Sequence, residues 1–224
     1  MLILEDLKID GLKIYQDDSL YRFTSDAVIL SHFAKGKKGD IVADFCSGSG
    51  IVGINFYAYN KTVKSVDLIE IQPELSNLSK KSVEYNNLGS VINVINKPIQ
   101  ELSNEYNGKY SLILCNPPYK KAGSGEPNAD LKIAMCRHEI TVTQDEIVEI
   151  SAKKLAHGGR LCICQRTERF TDLIYKMKSL NLEPSRIQFV TTKLGGAPYL
   201  VLVEAVKGVK PQLKVLEEFV NQGV

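Results

Sequence analysis

Residues 116–119 read Asn-Pro-Pro-Tyr and directly follow the short apolar run 110–115. A run of that length fits a fully buried strand. Two prolines cannot continue a strand ladder, so the strand stops at Asn116. Proline also holds its predecessor extended, which stiffens Asn116 and Pro117. An amide, a carbonyl and an aromatic ring are thus presented together at a strand's carboxyl end, where open α/β sheets bind ligands. This set suits methylation of a planar amine. The lone pair of adenine's amino group is delocalised into its ring and is a poor nucleophile. The Asn116 side-chain oxygen and the Pro117 carbonyl can each accept one amino hydrogen. That favours a more tetrahedral nitrogen as positive charge builds in the transition state. Pro118 has no N–H and adds no competing donor. Tyr119 offers a ring on which an extruded base can stack. The four letters alone also fit an ordinary strand-to-loop turn with a packed tyrosine.

A second constellation lies upstream. Residues 44–50, Asp-Phe-Cys-Ser-Gly-Ser-Gly, follow an apolar strand pattern and open a helix pattern. Gly48 and Gly50 let the backbone approach a ligand closely. Glu70, 20 residues past Gly50, ends the next strand pattern. A carboxylate there can accept hydrogen bonds from both hydroxyls of a ribose. Gly48, Gly50 and Gly53 also match the dinucleotide fingerprint, a weak signal by itself. Asp44 argues against NAD, because its carboxylate would repel a pyrophosphate. S-adenosylmethionine (SAM) has no phosphate and carries an ammonium and a sulfonium, which an acidic residue at this turn suits.

The elements that must position these residues are legible from pattern. The chain of 224 residues suits one core domain. At 44% hydrophobic and 24% charged it reads as a soluble globular protein. The net charge of +2 does not by itself argue for nucleic acid, so any such site must be a local patch. Five cysteines show no paired metal spacing and read as buried thiols of a reducing cytosol. No apolar stretch reaches membrane-spanning length and no signal-peptide pattern opens the chain, so the expected location is cytoplasmic, with no membrane and no obligatory protein partner. Residues 7–15 carry an Asp10-Gly11 hairpin signal. Thr24 or Ser25 can cap a helix running to about residue 34. Strands are predicted at 41–45, 65–69, 91–95, 110–115 and 160–165, with helices at 51–59, 73–85 and 144–156. This alternation implies a doubly wound α/β fold, a parallel sheet covered by helices on both faces. Strands at 186–191 and 199–206 are expected to form an antiparallel pair at one sheet edge. Residues 1–36 are read as a hairpin-and-helix extension packed on the core, and 37–224 as the catalytic domain. The polar stretch 120–130 reads as a lid or a plain surface loop.

Together the loop 44–50, Glu70 and residues 116–119 resemble a class I SAM-dependent methyltransferase. More closely, the chain resembles the bacterial tRNA1(Val) adenine-N6 methyltransferase family. Residues 21–27 (Tyr-Arg-Phe-Thr-Ser-Asp-Ala), the glycine loop, Asn-Pro-Pro-Tyr, Arg137-His138-Glu139 and the late run 200–208 carry this match. It spans nearly the whole chain, and residues 23–27 and 137–139 are its most discriminating parts. The resemblance implies a Rossmann-like, mostly parallel seven-stranded sheet with an antiparallel last strand. It implies methylation of an anticodon-loop adenine of valine tRNA, with SAM as cofactor and tRNA as partner; no second metal ligand lies at a suitable spacing from His138, so no metal is expected. It places catalysis on Asn116, Pro117, Pro118 and Tyr119. Cofactor contacts are expected from Phe23, Thr24, Asp26, Asp44, Cys46, Gly48, Gly50, Glu70, Ile71 and Asn116. Substrate contacts are expected from Tyr119, Lys120, Lys121, Arg137 and His138. Arg166, Arg169 and Lys193 fall near strand ends and with Lys120, Lys121 and Arg137 can form a phosphate-binding rim.

Two departures stand out. Cys46 occupies the place of the first loop glycine in many relatives. Asn96-Lys97-Pro98-Ile99 stands where many class I enzymes place an aspartate that contacts the SAM adenine. Other targets share the Asn-Pro-Pro-Tyr chemistry: an rRNA or DNA base, or the glutamine amide of a release factor. A non-catalytic RNA-binding module is the alternative of a different class, and it has no need for Asp44, Glu70 and Asn116 together.

Overall fold

The computed structural model describes residues 1–20, 22–119 and 142–222. Strands β1 (Leu2–Asp6) and β2 (Lys13–Asp17) pair antiparallel. Their connection turns through Asp10 and Gly11, both at positive φ. The hairpin lies against the helix α3 (Pro73–Tyr85): Ser82 Oγ accepts from Tyr15 N at 2.9 Å and Asn86 Oδ1 from Lys13 N at 3.0 Å. Helix α1 (Ser25–Phe33) follows. Thr24 occupies its N-cap position with extended backbone, but its side chain makes no capping bond.

The alternation then runs β3 (Ile41–Phe45), α2 (Ile51–Tyr59), β4 (Ser65–Glu70), α3, β5 (Ile92–Asn96), β6 (Tyr110–Cys115), α4 (Gln144–Lys154), β7 (Leu155–Arg166), α5 (Phe170–Ser179), β8 (Leu182–Thr191), β9 (Leu200–Lys207), β10 (Lys214–Val215) and β11 (Phe219–Val220). Strand order in the large sheet is β10-β8-β9-β7-β6-β3-β4-β5, with β11 also on β8. Neighbours from β5 to β7 are parallel. β9 alone runs against both its neighbours, β7 and β8. The seven strands from β3 to β9 therefore form the expected doubly wound, mostly parallel sheet with an antiparallel seventh strand.

The expected antiparallel pairing of 186–191 with 199–206 is present as β8–β9, with one refinement. The β8–β9 pair is not a bare sheet edge: β9 is inserted between β7 and β8, and β10 and β11 pair along the outer side of β8. The C-terminal segment thereby satisfies backbone groups that an open edge would expose. Helix α5 was not anticipated, although Phe170, Leu173, Ile174 and Met177 recur at helical spacing and pack on the core. By contrast, α4 begins where its sequence directs. Thr143 and Glu146 form a reciprocal capping box, with Glu146 Oε2 accepting from Thr143 N at 2.8 Å.

Strand alternation divides the core into two faces. Val42, Leu112, Leu114, Cys162, Cys164, Leu200 and Leu202 pack on one side with residues of α1 and α2. Ala43, Phe45, Ile113, Cys115, Leu161, Ile163, Val201 and Val203 pack on the other with residues of α4 and α5. A buried ion network ties the sheet to the end of α1. Arg160 Nη2 binds Asp40 Oδ2 at 2.6 Å and Lys35 O accepts from Arg160 Nη1 at 2.6 Å. Arg186 Nη2 binds Glu204 Oε2 at 2.7 Å and donates to Phe33 O at 3.2 Å. None of the helices among the described residues is long and apolar enough to cross a membrane.

Candidate active site

The strand order reverses between β3 and β6, whose ends are in register at Phe45 and Cys115. The loop after β3 and the Asn-Pro-Pro-Tyr turn after β6 thus emerge side by side at the switch point, where doubly wound sheets bind ligands. A cavity of about 990 Å³ opens there. Its wall includes Phe23, Thr24, Asp26, Cys46, Gly48, Glu70, Ile71, Asn116, Pro117, Pro118 and Tyr119. These eleven residues come from α1 and the segment before it, the β3 loop, the end of β4 and the turn after β6. Lys120, Lys121, Arg137 and His138, and the stretch 120–130, lie outside the described residues.

Asp44 and Gly50 are not among the residues that line this cavity. Gly50 is the N-cap of α2 at φ 89° and has no side chain with which to cap the helix. Asp44 does so instead: its Oδ2 accepts from Gly53 N in the first turn of α2 at 2.9 Å. The reason is parity. Asp44 shares a strand face with Val42, the face that α2 covers, so its carboxylate points beneath the loop rather than above it. Asp44 is fully buried and its Oδ1 has no hydrogen-bond partner among the described residues. Burial pushes its carboxyl up to about 8, partly offset by the Gly53 N–H and reinforced by the nearby Glu70. Gly53 itself is required by packing, since a Cβ there would lie 2.3 Å from Leu68 Cδ2.

The loop is shaped for a ligand. Cys46 is held at φ 58°, a left-handed conformation that favours glycine. Gly48 also has positive φ, and a Cβ built on it would meet nothing within 4 Å, so the cavity reaches its backbone. Ser47 Oγ is buried with no partner among the described residues, although Ser47 lines the cavity. Glu70 closes the loop from beneath. Its Oε2 accepts from Gly48 N at 2.8 Å and its Oε1 from Gln72 N at 2.9 Å. Burial raises the Glu70 carboxyl, and these N–H groups pull it back. Each carboxylate oxygen retains acceptor capacity for a hydroxyl. Where an aspartate is missing after β5, Lys97, Pro98, Ile99 and Gln100 line the wall. Asn96 braces β4 instead, donating from Nδ2 to Glu70 O at 2.8 Å.

The Asn-Pro-Pro-Tyr turn is cross-linked to the neighbouring strand. Tyr119 Oη donates to Asn116 Oδ1 at 2.5 Å, and Cys164 Sγ donates to the same oxygen at 3.1 Å. Burial pushes the Cys164 thiol far above its ordinary range, so it remains a protonated donor.

Sequence reasoning missed part of this wall. Tyr199 heads β9, and because β9 is antiparallel its amino end lies beside the carboxyl end of β7. The antiparallel expectation was the signal that could have placed Tyr199 here. Asp26 Oδ1 accepts from Tyr199 Oη at 3.2 Å, and Asn221 Nδ2 donates to that hydroxyl at 2.7 Å. Burial raises the Asp26 carboxyl, which Arg166 and the hydroxyls of Tyr199 and Tyr119 pull back down. Arg166 and Arg169 line the cavity; Lys193 does not. Cys164, in the middle of an apolar strand, carried no sequence signal for its bond to Asn116.

Comparison with known proteins places the chain in a family. The family model described as "Methyltransferase small domain" matches residues 24–180. The tRNA1(Val) (adenine(37)-N6)-methyltransferase of Shewanella woodyi is 23% identical over 180 residues, which cover 79% of this chain and 72% of that protein. The protein of the same name from Parabacteroides distasonis is 24% identical over 191 residues, covering 85% and 79%. Among solved structures, the M. jannaschii tRNA m1G37 methyltransferase superposes with a TM-score of 0.66 at 18% identity, over 93% of this chain and 57% of that one.

Proposed function

Because the chain belongs to the methyltransferase small domain family, we propose that it methylates the exocyclic amino group of an adenine in tRNA, the anticodon-loop adenine of valine tRNA, with SAM as methyl donor, in the cytoplasm. The observation that carries this reading is the juxtaposition of the Asn116–Tyr119 turn with the glycine loop across one cavity. The names of the similar proteins support the substrate.

The cavity wall fits SAM. An unpartnered buried Ser47 hydroxyl, the open Gly48 backbone and the Glu70 carboxylate are suited to a polar, ribose-bearing ligand. Phe23, Thr24, Asp26, Cys46, Gly48, Glu70, Ile71 and Asn116 would hold it, with Glu70 at the ribose hydroxyls. When bound, SAM supplies an electrophilic methyl group on a sulfonium.

The chain's own residues then do three things. Tyr119 offers its ring to the extruded base. Asn116 Oδ1 and the Pro117 carbonyl accept the two amino hydrogens and stabilise the charge that develops on nitrogen. The amine would take the methyl group in its neutral form as the sulfonium C–S bond breaks to leave the thioether, and would release its proton only afterwards, so these residues need supply no general base beforehand. An anticodon-loop base is already partly unpaired, so extruding it costs less than opening a duplex. Asp44 acts behind this surface, by capping α2 and so holding the loop in shape.

The test offers unmodified valine tRNA, duplex DNA and a release factor in parallel, with labelled SAM and mass spectrometry of the nucleosides. N6-methyladenosine in the anticodon loop is the expected product. Methyl transfer only to DNA or protein, with none to any tRNA, overturns the reading.

A further inference from the structure

The end of β7, the start of β9 and the turn after β6 bring three side chains into one corner of the cavity: Arg166, Tyr199 and Tyr119. The Arg166 guanidinium carbon lies 4.9 Å from the centre of the Tyr119 ring and 5.5 Å from that of Tyr199. Arg166 forms no side-chain hydrogen bond and no ion pair of 4 Å or less with the described residues. Among the described residues, two aromatic rings and the carboxylate of Asp26 face it. Tyr199 in turn is pinned through its hydroxyl by Asp26 at 3.2 Å and Asn221 at 2.7 Å. The chain of support therefore runs from Asp26 and Asn221 to Tyr199, then to Arg166, then to Tyr119.

We infer that Arg166 is a positioning residue that fixes the Tyr119 ring as the surface on which the substrate base stacks; the inference rests on the stacking role proposed above for Tyr119. The physical argument concerns the ring's freedom. The Tyr119 hydroxyl bonds Asn116 Oδ1 at 2.5 Å and lies 3.2 Å from Cys164 Sγ; contacts at that end of the side chain leave the plane of the ring to be set by what lies over its face. A cation over the ring face supplies the second restraint, because the ring quadrupole attracts it. Guanidinium suits this role, since it is planar, weakly hydrated and stacks on aromatic faces while staying charged. With Arg166 over one face, that face is closed to a base. The arrangement thus selects the side of Tyr119 that meets the substrate. Losing it leaves the ring present but mobile, at an entropic cost to base binding.

The test uses the full chain and an unmodified valine tRNA transcript at saturating SAM. Arg166→Ala is expected to lower kcat/KM for tRNA roughly 5- to 30-fold, the span of a partly desolvated cation–π contact. SAM affinity should stay within about twofold, a split that a general loss of folding would not produce. Arg166→Lys should recover part of the loss, because it keeps a cation for the ring, and Arg166→Gln should recover none. The decisive arm is a double-mutant cycle with Tyr119→Ala. In that background Arg166→Ala should have little further effect. An undiminished Arg166 effect without the ring, together with a shallower salt dependence of binding, would mean that Arg166 contacts an RNA phosphate, and the inference fails. A kinetically silent Arg166→Ala also overturns it. A silent Tyr119→Ala instead overturns the stacking role itself, a failure visible before Arg166 is touched.

Discussion

The Tyr119 hydroxyl hydrogen-bonds Asn116 Oδ1, and the Cys164 thiol takes the same oxygen from the other strand. An amide oxygen has two lone pairs, so both are engaged in this conformation. A substrate amino group accepted there exchanges with one of these donors or shares the oxygen with them. The Cys164 thiol has the Cys115 carbonyl at 3.9 Å as an alternative acceptor. The Tyr119 hydroxyl lies 3.2 Å from Cys164 Sγ, an alternative partner for it. Both donors can therefore be redirected without either residue leaving its place.

Asn116→Ala removes the acceptor while leaving the glycine loop and Glu70 intact. We expect kcat to fall by roughly 100-fold or more, by analogy with loss of an oxyanion-hole partner, and SAM affinity to change far less. Single-turnover rates measure the chemical step directly. Rates near those of the unaltered protein would refute the role assigned to Asn116.

Tyr119→Phe retains the ring and loses the bond to Asn116. Most activity should survive, since that bond is one the hydroxyl can give up to the substrate. Tyr119→Ala should lose about 1–3 kcal/mol of base binding, the range for a base stacked on an aromatic side chain. Steady-state KM for tRNA compares the two. Equal impairment of both variants would transfer the role from the ring to the hydroxyl.

Glu70→Ala should weaken SAM binding by about 1.5–3 kcal/mol, the scale of a hydrogen bond to a charged group. It also removes the acceptor for Gly48 N and Gln72 N, so the thermal midpoint should drop as well. Isothermal calorimetry reads the first effect and a melting curve the second. An unchanged SAM affinity, or tighter binding of NAD than of SAM by the unaltered chain, is incompatible with the cofactor site as described.

Asp44 makes stability depend on pH. Burial lifts its carboxyl from 3.8 to about 8. Between those values the folded chain keeps a proton that the unfolded chain has released, so stability falls as pH rises through the interval. Below it both states are protonated and the penalty vanishes; above it the penalty is complete. Asp44→Asn keeps an oxygen for Gly53 N and does not titrate. Urea unfolding without SAM at pH 5 and pH 8 should show a larger drop for the unaltered chain than for the variant. Parallel pH profiles would count against a buried, shifted carboxyl.

Much of this protein was legible locally. The alternation of apolar strands and helices from residue 41 onward specifies a parallel sheet, because each element carries its own period. Pro117 and Pro118 stop β6 by covalent geometry alone, and Gly48 and Gly50 mark a tight loop for the same kind of reason. What required the tertiary structure was which side chains share a space. Asp44 reads as a ligand contact from its place in the loop; strand parity turns it toward α2, which it caps. Cys164 and Tyr199 carry no local sign of function. They reach Asn116 and Arg166 only because β7 pairs with β6 on one side and with an inverted β9 on the other. The strands β10 and β11 were illegible because two residues each carry no period and their stability comes from the edge they cover. Helix α5 was legible, with Phe170, Leu173, Ile174 and Met177 at helical spacing, but was not anticipated. Local sterics and periodicity determine elements, whereas strand order and strand direction decide which distant residues become neighbours.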